Sequence, residues 1–196
     1  MKTIIREICS KLFEKKTKKQ REWSRLYHSN WRFLAKWTKE KYSGSSYLTW
    51  LRGRAYKKHY GLKNVPVIQY GVQIICEHSM VGKLEIGKNV LLAKECFIDY
   101  TGNVTLKDNV RITYGVMIES HYHPYHSDYK LEHKAVPTSI VIEEGAFIGS
   151  KSIILPSCHY IGKYARVGAG SVVTHDVPDY AIVVGSPAKV IRIQEH

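Results

Sequence analysis

The chain repeats itself every six residues, and this period constrains its fold more than any other property. From about residue 70 an aliphatic residue returns at Ile74, Met80, Ile86, Leu92 and Ile98. After a two-residue shift around Gly102–Asn103 the series resumes at Leu106, Ile112 and Ile118. It reappears at Ile142, Ile148 and Ile154, slips by one residue near Ser157–Cys158, and continues at Ile161, Val167 and Val173. A small or acidic residue often follows, most cleanly in IGKNVL (86–91), IGKYAR (161–166) and VGAGSV (167–172). A period of six belongs neither to an α-helix nor to an ordinary alternating strand; hexapeptide repeats signal a parallel β-helix. Each hexapeptide makes one short strand and one turn, and three close a triangular coil. The aliphatic residue points to the axis and stacks on its equivalents above and below. Single coils bury their apolar face only by stacking, so the ends need caps. Roughly five coils fit between residues 70 and 178.

The first third of the chain is a different physical object. Net charge is +13, and residues 1–60 carry all of it, with 17 Lys and Arg against 4 Glu; residues 61–196 hold 13 of each sign. All four tryptophans, Trp23, Trp31, Trp37 and Trp50, lie in this segment. Apolar residues recur there at helical spacing, first Ile4, Ile5, Ile8 and Leu12, then Trp23, Leu26, Tyr27, Trp31, Leu34 and Trp37. The pattern predicts short basic amphipathic helices and a further helical piece around Leu48–Tyr60. Three roles compete for residues 1–40: packing on the rest of the protein, contact with an anionic membrane surface, and nucleic-acid binding, which no nucleic-acid fold motif accompanies. No stretch approaches 18 uncharged apolar residues, so no transmembrane helix is expected. The charged N-terminus lacks a signal-peptide core. Cys9, Cys76, Cys96 and Cys158 show no CxxC spacing and read as reduced thiols of a cytoplasmic protein. Peripheral placement at the inner membrane face would follow if the extension binds lipid.

The repeat breaks between Ile118 and Ile142, and the interruption holds His121, His123, His126 and His133. A long excursion from a regular solenoid reads as a functional loop. Histidine titrates near neutral pH and suits the removal of a proton from a hydroxyl.

Residues 86–192 resemble the hexapeptide-repeat acetyltransferases, which include the galactoside, maltose and nodulation-factor O-acetyltransferases and those of bacterial surface polysaccharides. The resemblance rests on the hexapeptides, on SHYHPYHSDYKLEHKAVPTSIVI (120–142), on GAGSVVTHDVP (168–178) and on GSPAKVIR (185–192). It implies an all-β, left-handed parallel β-helix over residues 66–196, with a protruding loop at 119–139 and a C-terminal segment at 179–196, in which 179–184 leave the last coil and GSPAKVIRI (185–193) runs back along the coils. Residues 1–65 form the basic helical extension. It implies acetyl-CoA as acyl donor, a carbohydrate hydroxyl as acceptor (a surface-polysaccharide unit or lipid-linked sugar), and a homotrimer with active sites between subunits.

The family's catalytic residue follows the last repeat before the loop, often as His-Pro. His123-Pro124 fits that form and is the first choice; His121 is the second, and register alone leaves both open. Glu119 or Asp128 is the expected partner of the other ring nitrogen. His126 and His133 read as loop packing. The matching coenzyme positions are Ala169, Thr174, His175, Lys189 and Arg192, cations for phosphates and small residues for close approach. Position 175 commonly carries Lys or Arg in the family, and position 147 is often Trp beside the acceptor; here they are His175 and Phe147. Two rivals remain. One is N-acetylation of a nucleotide-linked amino sugar. The other is a metal-binding β-helix like the γ-class carbonic anhydrases, suggested by the His121/His126 spacing; the expectation is that no metal takes part.

Overall fold

The computed structural model describes residues 46–77, 82–124 and 135–195. The predicted helices of residues 1–40, Met80, His126, Asp128 and His133 lie outside the described residues.

Helix α1 (Ser46–Tyr60) opens the described chain, where the sequence predicts a helical piece. Lys57, Lys58 and His59 occupy its last turn, where cations oppose the negative end of the helix dipole. Gly61 then adopts φ +64°, and the Leu62 amide donates to the Lys57 carbonyl at 2.9 Å, a Schellman-type stop. One face of α1 caps the first coil. Arg52 Nη1 donates to the Ile68 carbonyl at 2.8 Å, Tyr56 Oη to Val72 at 2.8 Å and Tyr60 Oη to Ile74 at 2.9 Å. These carbonyls belong to the first coil, beneath which no further coil lies among the described residues.

The remainder is a parallel β-helix with three faces. The first face carries Val67–Ile68, Leu91–Leu92, Arg111–Ile112, Phe147–Ile148, Arg166–Val167 and Ala181–Gly185. The second carries five strands, one per coil: Gln73–Ile75, Phe97–Asp99, Met117–Ile118, Ile153–Ile154 and Val172–Val173. The third carries Leu84–Ile86, Asn103–Leu106, Ser139–Ile142 and Tyr160–Ile161, closed by a bridge from Ile161 to Val177. All successive pairings of these strands are parallel.

The inward ladders follow the six-residue series. Ile68, Leu92, Ile112, Ile148, Val167 and Val183 stack on the first face. Ile74, Ile98, Ile118, Ile154 and Val173 stack on the second, and Ile86, Leu106, Ile142 and Ile161 on the third. All are buried. The two-residue shift at Gly102–Asn103 lengthens the third-face strand so that Val104 also turns inward, and Ile140 repeats this one coil on. The extra residue near Ser157 is taken up by Cys158, buried with its amide on the Leu155 carbonyl.

The C-terminal segment departs from expectation. Ala188–Ile193 does not run back along the coils; it folds antiparallel onto Ala181–Gly185 and becomes the terminal strand of the first face. Pairing with that strand satisfies backbone groups that the last coil would otherwise leave open.

Candidate active site

The interruption of the repeat leaves the β-helix at the edge between the second and third faces. In the third coil, Ile118 ends the second face, and His121–Tyr122 pairs antiparallel with Val136–Pro137. This two-residue ribbon is the base of the predicted loop. It brings the chain back in register for Ser139–Ile142, with the Thr138 amide on the Ser120 carbonyl at 2.7 Å.

His121 sits at the foot of the ribbon, partly buried, with Nδ1 2.6 Å from Asp99 Oδ2. Asp99 ends the second-face strand of the coil below. Its side chain is 2% exposed, yet it is fully hydrogen-bonded. Oδ1 accepts from the Thr101 amide at 2.9 Å and from Thr101 Oγ1. Oδ2 accepts from the Ser120 amide at 3.1 Å and from Ser120 Oγ at 3.5 Å. Burial alone would push this carboxyl up, but the bonds from Thr101, His121 and Ser120 outweigh burial and hold it below its ordinary value. A buried carboxylate facing Nδ1 fixes the tautomer with the proton on Nδ1, which makes Nε2 the basic nitrogen.

Asp99 holds Nδ1 instead of Glu119, and Asp128 lies outside the described residues. His123 is exposed on the ribbon, and its ring meets the His121 ring edge-on at 5.3 Å. The two histidines alternate around Tyr122 and so share one side of the ribbon.

Two coils along the same edge stand Thr174 and His175. Ile118, Ile154 and Val173 are register partners, so the residues that follow them line up along the axis. At the usual spacing of strands this is about 10 Å. Thr174 Oγ1 and His175 Nδ1 are 2.8 Å apart. His175 and Lys189 line one open cleft at the end of the β-helix, with Asp176, Val177, Val183 and Ala188. The structure therefore places His121, Thr174 and His175 along one edge, and Lys189, on the terminal strand of the first face, meets His175 across the end cleft. Arg192 is exposed opposite Ile182 and does not line that cleft. Ala169 stands at the edge between the first and second faces, and Phe147 is 38% exposed on the first face between Arg111 and Arg166. Among the described residues no three His, Cys, Asp or Glu side chains converge as metal ligands.

Sequence reasoning missed Asp99, Thr101 and Ser120. The one available signal was the two-residue slip at Gly102–Asn103, which follows FIDYT (97–101) directly.

No family profile matches the sequence. The chain is 33% identical over 114 residues to a galactoside O-acetyltransferase of Lactococcus lactis, covering 54% of each protein. It is 52% identical over 50 residues, 26% of each chain, to a dTDP-3-amino-3,6-dideoxy-α-D-galactopyranose 3-N-acetyltransferase of Aneurinibacillus thermoaerophilus. The chain thus spans about half the length of the first relative and about a quarter of the second. Among solved structures, a hexapeptide-repeat-containing acetyltransferase from Vibrio cholerae superposes with TM-score 0.66 at 23% identity, over 84% of this chain and 91% of that one. The same enzyme in complex with acetyl-coenzyme A superposes with TM-score 0.63. The chain therefore has the left-handed β-helix fold of the hexapeptide-repeat acetyltransferases, and its sequence is similar to enzymes of that family.

Proposed function

We propose that the protein transfers an acetyl group from acetyl-CoA to a carbohydrate hydroxyl, with His121 as general base. The observation that carries this reading is the Asp99–His121 pair. A buried, ionised carboxylate on Nδ1 leaves Nε2 as the proton acceptor and stabilises the imidazolium that forms. The pair moves the assignment from His123 to His121; His123 is an exposed neighbour suited to lining the acceptor's approach.

In the proposed reaction Nε2 takes the acceptor's hydroxyl proton as its oxygen attacks the thioester carbonyl. The C–O bond forms, the C–S bond breaks, and the proton passes from the imidazolium to the departing thiolate. No covalent enzyme intermediate is needed, because the thioester is already activated. His175 and Lys189 in the end cleft are the proposed partners of the coenzyme's phosphates. The Vibrio cholerae enzyme's complex with acetyl-coenzyme A supports the donor.

The acceptor class has two readings. Similarity to the galactoside enzyme supports a sugar hydroxyl; the acceptor proposed is a surface-polysaccharide unit or a lipid-linked sugar. Similarity over 50 residues to the dTDP-amino-sugar enzyme supports an amine on a nucleotide carrier. Acetyl-CoA turnover by the purified protein against a panel of neutral sugars and dTDP-amino sugars separates them. Turnover with neutral sugars is expected; turnover confined to the amino sugars would move the proposal to N-acetylation, and none with either would remove it.

The assembly proposed is a trimer. Within one chain Phe147 and Ala169 stand on other surfaces than His121, so only a second copy can bring them to its edge. The outward positions of the second face, Phe97, Met117, Ile153 and Val172, form a half-buried apolar stripe suited to packing between copies. Light scattering should give three chains per particle; an active monomer would contradict this.

A further inference from the structure

Asp99 receives more hydrogen bonds than orienting a histidine requires. Thr101 Oγ1 accepts the Glu77 amide, one coil below, at 2.8 Å. Ser120 Oγ accepts the Gly102 amide at 2.9 Å. A hydroxyl has one hydrogen to give. With a backbone N–H already directed at each oxygen, the remaining hydrogen of each is turned toward Asp99. The Thr101 and Ser120 amides and His121 Nδ1–H complete the set, so both carboxylate oxygens face donors only. Asp99, Thr101 and Ser120 are all 2% exposed or less, so water does not substitute for these donors.

We infer that Thr101 is a positioning residue for the proposed reaction: its hydroxyl, locked as a donor by the Glu77 amide, keeps Asp99 an obligate acceptor and thereby holds the proton on His121 Nδ1. This rests on the reading of His121 as the base. The consequence is chemical. A carboxylate surrounded by donors has no place for a proton, so Asp99 stabilises the imidazolium without taking its proton. The relay crosses three coils, from Glu77 through Thr101 and Asp99 to Ser120 and His121, and it joins the first coil, which α1 caps, to the site. Among the described residues, the titratable groups around Asp99 are Cys76 and Glu77 on the coil below, Glu119 and His121 on the coil above, and His123 through its ring contact with His121. Cys76 is pushed up by burial and by the nearby Asp99 charge, so it stays a neutral thiol through the pH range where Asp99 titrates.

The sign of the pH effect follows. Asp99's folded value lies below its ordinary 3.8, so its stabilisation is present above that value and lost as pH falls through the folded one. Removing the Thr101 hydroxyl moves the folded value up.

The experiment compares Thr101→Val, which keeps the shape, with Thr101→Ser, which keeps the hydroxyl. Carbon-13 NMR follows the Asp99 carboxyl titration in each, and kcat and KM for acetyl-CoA are measured on the same proteins. Thr101→Val should raise the Asp99 midpoint by about one pH unit and lower kcat about tenfold with KM unchanged. Thr101→Ser should restore both. A Thr101→Val protein with wild-type midpoint and kcat overturns the inference, and so does a loss of activity that Thr101→Ser fails to recover. If the midpoint rises as expected while His121→Ala stays active, the clamp on Asp99 stands and the assignment of the base falls.

Discussion

The three edges of the β-helix turn by two different means. At the edge from first to second face, each coil turns on one residue in the left-handed region: Gly71, Glu95, Gly115, Lys151 and Gly170, with φ between +58° and +75°. The edge from third to first face does the same with Asn89, Asn109, Gly145, Tyr164 and Tyr180, between +53° and +69°. At the second–third edge none of the described residues adopts that conformation. Side-chain oxygens accept backbone amides at every edge, but here they do so without a left-handed residue: Thr101 from Glu77, Ser120 from Gly102, and Asp176 from His159 and Tyr160. A corner coded in the backbone fixes the length of every coil. A corner held by side chains tolerates extra residues, because lengthening a loop costs little closure entropy. All the irregularities noted in the repeat fall on this edge: the shift at Gly102–Asn103, the ribbon at His121, and the residue added near Ser157. The same edge carries Asp99, His121 and His175.

Glycine substitutions sharpen the contrast, since glycine serves each kind of edge for a different reason. The largest effect is expected at Gly102, on the second–third edge. A Cβ there would lie 1.8 Å from the Thr138 carbonyl oxygen and 2.5 Å from that of Ser120, and backbone cannot withdraw as a side chain can. Gly102→Ala should destabilise the fold by about 3 kcal/mol or more in denaturant melts and displace the ribbon that carries His121. Gly170→Ala, on a regular edge, meets nothing within 4 Å but adopts φ +68°. It should cost only about 1–2 kcal/mol, the penalty of a left-handed alanine. Lys151→Gly at the same edge removes that penalty from φ +58° and should stabilise by about 1 kcal/mol or less, because glycine loses more chain entropy on folding. It should leave kcat unchanged. Equal effects of Gly102→Ala and Gly170→Ala would dissolve the distinction between the edges.

The regular part of the molecule was legible in the sequence, because a stacked coil repeats one demand at one spacing. The series from Ile86 to Val173 falls on the inward ladders wherever the residues are described. It was less legible at the ends. Val183 follows Val173 by ten positions because the last third face shrinks to the single bridge at Val177. Ala188–Ile193 pairs as a terminal strand, which no period announces. The site was half legible. The break after Ile118 and its histidines pointed to the edge that carries the proposed site, and His121 was one of two candidates. What separates it from His123 is Asp99, 22 residues earlier. One turn of the β-helix, about the interval from Leu92 to Ile112, lies between them, so only stacking brings them into contact. His175 and Lys189 meet through the closing hairpin in the same way.

The account depends most on His121 as the base, and the direct test is steady-state kinetics of His121→Ala beside His123→Ala. Loss of His121 should lower kcat by roughly 10²–10⁴ with acetyl-CoA binding nearly intact, the expected signature of a missing general base. His123→Ala should retain most of the wild-type rate, because its ring touches His121 but has no contact with Asp99 among the hydrogen bonds of that carboxylate. A dead His123→Ala beside an active His121→Ala would contradict the account and return the chemistry to the exposed histidine.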